Sequence, residues 1–365
     1  MRVIVIGAGV VGASVAYRLA QGGAAVSVLE RDRVGGGTSG SSFAWTNSNS
    51  KTPRAYHDLN VAGMRAHAAL RDEFGATPWW HGGGGIEWES AADHAAHREK
   101  IERLRAWGYR AEWITPRDLA ALEPDLDPRA VGDAPIAYFP DEGWLDPVPY
   151  AHAMLTAARR HGARLTYGLG VTDLVSRAGR VTGVRTHDGA LHEADVVVNC
   201  AGRWADRFGP DDARLPLAPT IGFLVFTPPV ASSLGHVIRN PICHVRPDGA
   251  GRLLLHRDET DALLAEPRDP GPNSPEARDL VARATRLLPG IGAVSAEATR
   301  LAARPIPRDG LSAIGRMPAI AGCYIAVTHS GVTLSPFLGI AVADEILNDI
   351  ERAELAPFRP ARLLN

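Results

Sequence analysis

The run Val3-Ile4-Val5-Ile6-Gly7-Ala8-Gly9-Val10-Val11-Gly12 near the start of the chain constrains the fold more than any other stretch. Four consecutive apolar residues suit a strand buried on both faces of a parallel sheet, and the three glycines follow in the order a phosphate-binding turn needs. Gly7 permits the tight turn, Gly9 lets the backbone approach a pyrophosphate, and Gly12 lets the next helix pack close to the strand. That helix is expected from about Val10, with Val15, Ala16 and Leu19 on one face and Gly22-Gly23 as its stop, so its N-terminal N–H groups point at the phosphates. A second strand, Ala25 to Leu29, delivers Glu30 eighteen positions beyond Gly12. A carboxylate there accepts from both hydroxyls of a ribose and repels a 2′-phosphate. The unit reads as a dinucleotide site that disfavours NADP and, taken alone, leaves NAD and FAD open.

Bulk properties narrow the class. A chain of 365 residues exceeds one ordinary core and suits two connected domains. The net charge of −2 and mixed runs such as Arg98-Glu99-Lys100-Ile101-Glu102-Arg103 argue against a nucleic-acid partner. Cys200, Cys243 and Cys323 have neither metal-ligand spacing nor a disulfide pattern, so no metal is expected and a reducing cytoplasm is. The first strand leaves no room for a signal peptide, and no apolar run has the length of a membrane span.

The organisation is interleaved. After the opening unit comes Gly35-Gly36-Gly37-Thr38-Ser39-Gly40-Ser41-Ser42, a flexible run suited to wrapping part of a long cofactor, and then helix-like segments at Tyr56 to Phe74 and around His94 to Trp107. Asp146-Pro147 opens another helix, which ends at His161-Gly162. Arg164 to Tyr167, Val171 to Leu174 and Arg180 to Thr186 read as strands. Ala194 to Gly202 reads as a buried parallel strand ending in a glycine turn, so the nucleotide domain resumes there. Between Thr220 and Arg257 the pattern changes to alternation, as in an antiparallel sheet. A Pro-rich link, Pro267 to Pro275, precedes a helix from Glu276 to Leu288; Cys323 to Val327 is a strand, followed by a helix from about Val332 to Leu347. The expected fold class is α/β. An interleaved Rossmann-like nucleotide domain (1–80, 141–218 and 301–365) carries a smaller α+β substrate domain (81–140 and 219–300) with an antiparallel sheet.

Four segments together give the chain a recognisable likeness: the fingerprint with Glu30, the Gly37-Thr38-Ser39 loop, Val197-Val198-Asn199-Cys200-Ala201-Gly202, and the pair Arg304-Pro305-Ile306-Pro307-Arg308-Asp309-Gly310 with His329-Ser330-Gly331-Val332-Thr333-Leu334. It resembles the FAD-dependent D-amino-acid oxidase, glycine oxidase and sarcosine oxidase family over nearly its whole length. The resemblance implies FAD, held by Gly7, Gly9, Val10, Val11 and Gly12 at the pyrophosphate and by Glu30 and Arg31 at the adenosine ribose. It further implies Thr38 and Ser39 near the phosphates and flavin, Val171 at the adenine, and Ala201, Gly202 and Trp204 beside the cofactor. Gly331, Val332, Thr333 and Leu334 would then begin a helix whose positive end favours the charge of reduced flavin.

The resemblance also implies a substrate, a small amine or amino acid with a carboxylate, oxidised by hydride transfer from Cα to flavin N5, with the imine then hydrolysed. Arg304 is the expected carboxylate clamp, since a guanidinium offers paired donors. Arg246 is a second candidate, and His244, His256 and His329 are candidates for the active face. The stretch Arg304 to Pro307 lacks the cysteine that tethers flavin in sarcosine oxidase-like members, so non-covalent FAD is expected. No lysine follows Lys100 to assist oxygen, which leaves oxygen and another electron acceptor both open. The polar segment Phe43 to Arg54 departs from the commonest members and suits either a substrate larger than glycine or a solvated loop. Two other readings are a flavin-binding subunit of a larger amine dehydrogenase complex, and an NAD-dependent dehydrogenase with an uninterrupted nucleotide domain; a homo-oligomer is also open.

Overall fold

The structure is a computed structural model and describes residues 1–208, 214–264, 268–318 and 320–364. Its organising element is the strand Arg2–Ile6. It pairs in parallel with Ala25–Glu30 on one side and Val196–Asn199 on the other. The six-stranded sheet runs Ala313–Arg316, Cys323–Val327, Val196–Asn199, Arg2–Ile6, Ala25–Glu30, Arg164–Tyr167, and only its Ala313–Arg316 edge is antiparallel. Successive side chains on a strand alternate faces, so the apolar run can serve two cores. Val3 and Val5 pack with the helices, while Ile4 and Ile6 pack with Val181, Val184 and Phe208 beneath a three-stranded antiparallel sheet.

On the helical face, Val10–Gln21 lies between Pro147–Arg160 and the last helix, Gly331–Leu347. The approach to the last helix is close because position 339 has no side chain: a Cβ on Gly339 would stand 2.6 Å from the Ser14 carbonyl oxygen. The Ser14 hydroxyl bonds the Tyr150 hydroxyl at 2.7 Å and so ties Val10–Gln21 to Pro147–Arg160. Arg54–Phe74 crosses the last helix by the same means, a Gly63 Cβ being 2.5 Å from the Thr333 carbonyl.

The second large sheet has eight strands, in the order Ala298–Ala303, Ile221–Phe226, Arg252–His256, His244–Asp248, Val237–Arg239, Gly85–Glu87, Ile136–Phe139, Glu112–Ile114. Its pairs are antiparallel except Val237–Arg239 with Gly85–Glu87, so the expected antiparallel sheet is mixed at that point. Phe223 and Val225 face the amphipathic helix Pro275–Leu287. Leu224 and Phe226 face the opposite way, against Phe43, and this brings the eight-stranded sheet onto the glycine-rich loop.

Three expectations change. A domain boundary at 301 would cut the strand Ala298–Ala303, which belongs wholly to the eight-stranded sheet. The run 35–42 is pinned rather than flexible: Thr38–Ser41 forms a 3-10 turn, and the Thr38 hydroxyl donates to the Ala303 carbonyl at 2.8 Å. The segment after Phe43 is no solvated loop, since Thr46, Asn47, Ser48 and Asn49 are buried. Pro275 opens its helix with Ser274 as cap, whereas Pro267 lies outside the described residues. Among the described residues no helix is long and apolar enough to cross a membrane.

Candidate active site

A cavity follows the carboxyl ends of the parallel strands, where an α/β sheet is expected to bind its ligand. Gly7, Gly9, Val10, Val11, Glu30, Arg31, Thr38, Ser39, Val171, Ala201, Gly202, Trp204, Gly331 and Val332 all line it, as does His329. Gly12 sits one layer behind, where a Cβ would stand 2.0 Å from the Gly7 carbonyl oxygen. Thr333 and Leu334 are not among the lining residues: Leu334 is fully buried in the helical core, and the Thr333 hydroxyl faces the segment after Phe43.

Each end of the cavity has a physical signature. The helices beginning at Val10 and Gly331 converge there, Val11 Cγ2 lying 3.3 Å from where a Gly331 Cβ would be, and neither is capped by its own N-cap side chain. Two helix N-termini make a pole suited to anions. The Ser39 hydroxyl stands over the first pole, accepting from Val10 N at 3.2 Å. At the far end Glu30 accepts from Ala8 N at 2.8 Å and from Asp32 N at 3.0 Å, which fixes the carboxylate while leaving lone pairs free. The Arg31 guanidinium lies 3.6 Å from the centre of the Trp204 ring, forming a flat wall near Val171. Asn199, on the strand below, accepts from Ala201 N at 3.2 Å and donates to the Ala205 carbonyl at 2.9 Å, which shapes the turn. Gly202 has space for a Cβ but a φ of +56°, so conformation rather than crowding requires glycine there. Glycines at the phosphate turn, paired helix ends and a carboxylate beyond them fit FAD.

The substrate candidates divide into two groups. Arg304 lies between Ala303, which Thr38 holds, and Pro305, which lines the cavity. It forms an ion pair with Asp261, and His256 Nε2 reaches the same Asp261 oxygen at 2.9 Å. His244 Nδ1 is 3.3 Å from His256 Nδ1. Burial, followed by the charge of His256, pushes His244 well below its ordinary pKa, so a neutral His244 sits at the end of a chain that runs through His256 to Asp261. Asp261 carries no sequence signal of its own; it lies on the short helix Asp258–Leu263, where an acidic residue reads as surface. His256, Asp258 and Asp261 have ligand atoms within 4.8 Å of one another, but Arg304 already neutralises Asp261.

Arg246 takes a different part. Its buried guanidinium donates to the main-chain carbonyls of Phe43 and Pro247 and lies 4.4 Å from the centre of the Trp144 ring, outside the cavity. Burial pushes it down to about 10, so it keeps its charge at neutral pH and acts as a tie on the Phe43 segment. His329 is exposed and lines the cavity. Loss of water to the protein atoms crowded around the ring, then the charges of Lys51 and Arg304, push its pKa down to about 3.

Beneath the Phe43 segment lies the buried Glu142, which accepts from Tyr109 at 2.5 Å and from Asn49 at 3.1 Å. Burial pushes its pKa up to about 8 from an ordinary 4.5. Between those values the folded protein keeps a proton that the unfolded chain releases, so stability falls as pH rises, by up to about 1.4 kcal/mol per unit. Glu142→Gln removes this dependence. The melting temperature of the variant relative to wild type is expected to rise from pH 5 to pH 8, and parallel curves would count against the assignment.

Fold and cavity define a dinucleotide-binding protein of the interleaved α/β type. The chain matches the family model described as DAO, FAD dependent oxidoreductase, over residues 2–345, and it belongs to that family. It is thus an FAD-dependent oxidoreductase, and the NAD-dependent reading is set aside. It is similar to the glycine oxidase of Geobacillus kaustophilus, 27% identical over 381 aligned positions covering 99% of this chain and 96% of that protein. The crystal structure of glycine oxidase from that organism superposes with a TM-score of 0.85 at 25% identity, covering 99% of each chain. L-proline dehydrogenase from P. horikoshii superposes at 0.86 with 20% identity, covering 99% of this chain and 97% of that one, a likeness of fold alone.

Proposed function

We propose that the protein oxidises the C–N bond of an amino acid or N-substituted amino acid whose carboxylate is held by Arg304. The observation that carries this reading is Arg304, next in the chain to Pro305 of the cavity lining, with its guanidinium held by Asp261 while its Nη1 remains available as a donor. Bound FAD, held without a covalent link, supplies the two-electron acceptor. Arg304 fixes the carboxylate and so turns the Cα–H bond into the cavity, converting an encounter into a positioned transfer. The Cα–H bond breaks with its electron pair leaving to the acceptor, a C=N bond forms, and water opens it to an oxo acid or aldehyde and an amine. With a pKa near 3, His329 is too weak a base to hold the substrate's ammonium proton, which passes to water instead. The uncapped helix end at Gly331-Val332 favours the negative charge added to the cavity.

The test is the visible spectrum of the purified holoprotein under nitrogen, with D-amino acids, glycine, sarcosine and bulkier N-alkyl amino acids added in turn. Bleaching by carboxylate-bearing amines is expected, and re-oxidation by air then distinguishes oxidase from dehydrogenase. A protein that holds FAD but is bleached by no amine overturns the reading in favour of a flavin-binding subunit.

A further inference from the structure

We propose that the substrate carries a second anionic group and that the ammonium of Lys51 binds it. This rests on the reading of Arg304 as the clamp for the first carboxylate.

The chain has two lysines, and they differ in what they face. Lys100 donates to both oxygens of the buried Glu87, at 2.6 and 2.9 Å. Lys51 is half-buried, and among the described residues its side chain has neither an ion pair nor a hydrogen bond. Its position is fixed by the segment that carries it. Asn47 N donates to the Thr333 hydroxyl at 3.3 Å, and Tyr56 shares a 2.7 Å hydrogen bond with Ser330, so both sides of Lys51 are stitched to the first turn of the last helix. Between these anchors the chain turns back, Lys51 N donating to the Ser48 carbonyl at 3.2 Å. Ser330 follows His329, which lines the cavity, and Lys51 and Arg304 are the cations whose charges act most on that ring, ahead of His256.

The polar groups beneath this segment do not answer the charge of Lys51. Ser48 N is paired with Tyr109 at 3.1 Å, the Ser48 hydroxyl with His57 at 2.9 Å, and Asn49 with Glu142. Glu142 is itself uncharged at neutral pH. Arg304, by contrast, has its counter-ion in Asp261. Around His329, which lines the cavity, there are therefore one compensated cation and one uncompensated cation, and an ammonium with no counter-ion favours an anion from outside. An amine with one carboxylate satisfies Arg304 and leaves Lys51 bare; an amine with two satisfies both. The substrate class is an aminodicarboxylate, either an acidic amino acid or an N-carboxyalkyl amino acid.

The experiment uses the FAD-loaded enzyme in two arms. In the first, the rates of anaerobic flavin reduction are compared within the pairs sarcosine and iminodiacetate, and D-alanine and D-aspartate, the members differing by a carboxylate. Wild type is expected to favour the two-carboxylate member by about 10- to 100-fold in kcat/KM, the range of one charge-assisted hydrogen bond. Lys51→Met abolishes that preference while leaving the one-carboxylate member within about threefold, and Lys51→Arg restores most of it. In the second arm, succinate and propionate are titrated and the perturbation of the flavin spectrum is followed. Wild type binds succinate about tenfold tighter, and Lys51→Met binds the two alike. No preference in wild type, or an equal loss for both members in Lys51→Met, overturns the proposal. If no amine reduces the flavin, the reading of the reaction fails, and the second arm still decides the role of Lys51.

Discussion

Gly12→Ala yields a protein that purifies without its yellow colour and melts well below wild type. The added Cβ would stand 2.0 Å from the Gly7 carbonyl oxygen and 3.1 Å from its carbon, and both are backbone atoms of the phosphate turn itself. Neither can swing aside, so the helix must back away from the strand or the turn must open. Either change moves the N–H groups meant for the pyrophosphate. Cost follows from which neighbour must yield, and Gly9 supplies the contrast. A Cβ there meets the Ser39 hydroxyl at 2.9 Å, the end of a side chain that can rotate. Gly9→Ala is therefore expected to weaken FAD binding by about 10-fold, against 10³-fold or more for Gly12→Ala, on the scale of overpacking penalties of about 1–3 kcal/mol or more. The ratio of absorbance at 450 nm to 280 nm, with FAD titrated back into apoprotein, measures both. Equal losses in the two variants would show that crowding at Gly7 does not control the site.

Arg304→Leu keeps its flavin and loses its carboxylate substrates. We expect kcat/KM to fall by about 10²–10⁴-fold, expressed mainly as a raised KM, because truncating one side of a charge pair costs about 2–5 kcal/mol. A second effect follows from Asp261, whose side chain is 8% exposed and whose counter-ion is Arg304. Removing the arginine leaves a buried carboxylate answered only by His256 and the Phe223 N–H, so the variant is also expected to lose stability. The double variant Arg304→Leu with Asp261→Asn separates the two roles: it regains most of the melting temperature and remains inactive. Recovery of activity in the double variant would mean that Arg304 serves only to neutralise Asp261.

Much of this was legible in local patterns. The fingerprint, the helix after Asp146 and the strand before Cys200 each rest on a short run whose periodicity or turn chemistry decides its structure, and each forms close to its expected limits. The cavity-lining residues followed, because a glycine turn and a strand end can be placed once the strands are known. The misses have a common cause. Asp261 becomes a partner only when the Asp258–Leu263 helix packs beside the strand Ile221–Phe226 and its carboxylate meets Arg304. As a residue type Arg246 suits a clamp, whereas its role is set by the carbonyls of Phe43 and Pro247 and by Asp248, which surround it.

The sequence by itself determined the dinucleotide turn and the interleaved order of segments, because apolar runs of fixed period and glycines of fixed spacing admit few arrangements of backbone. Tertiary structure alone decided which cations are free. Arg304, Arg246 and Lys51 are equivalent as charges along a chain, and they differ in what lies opposite: the Asp261 carboxylate, two main-chain carbonyls with Asp248 at 3.5 Å, or, among the described residues, no hydrogen-bond or ion-pair partner. Charge compensation depends on distance through space and on burial, which the order of residues does not encode locally.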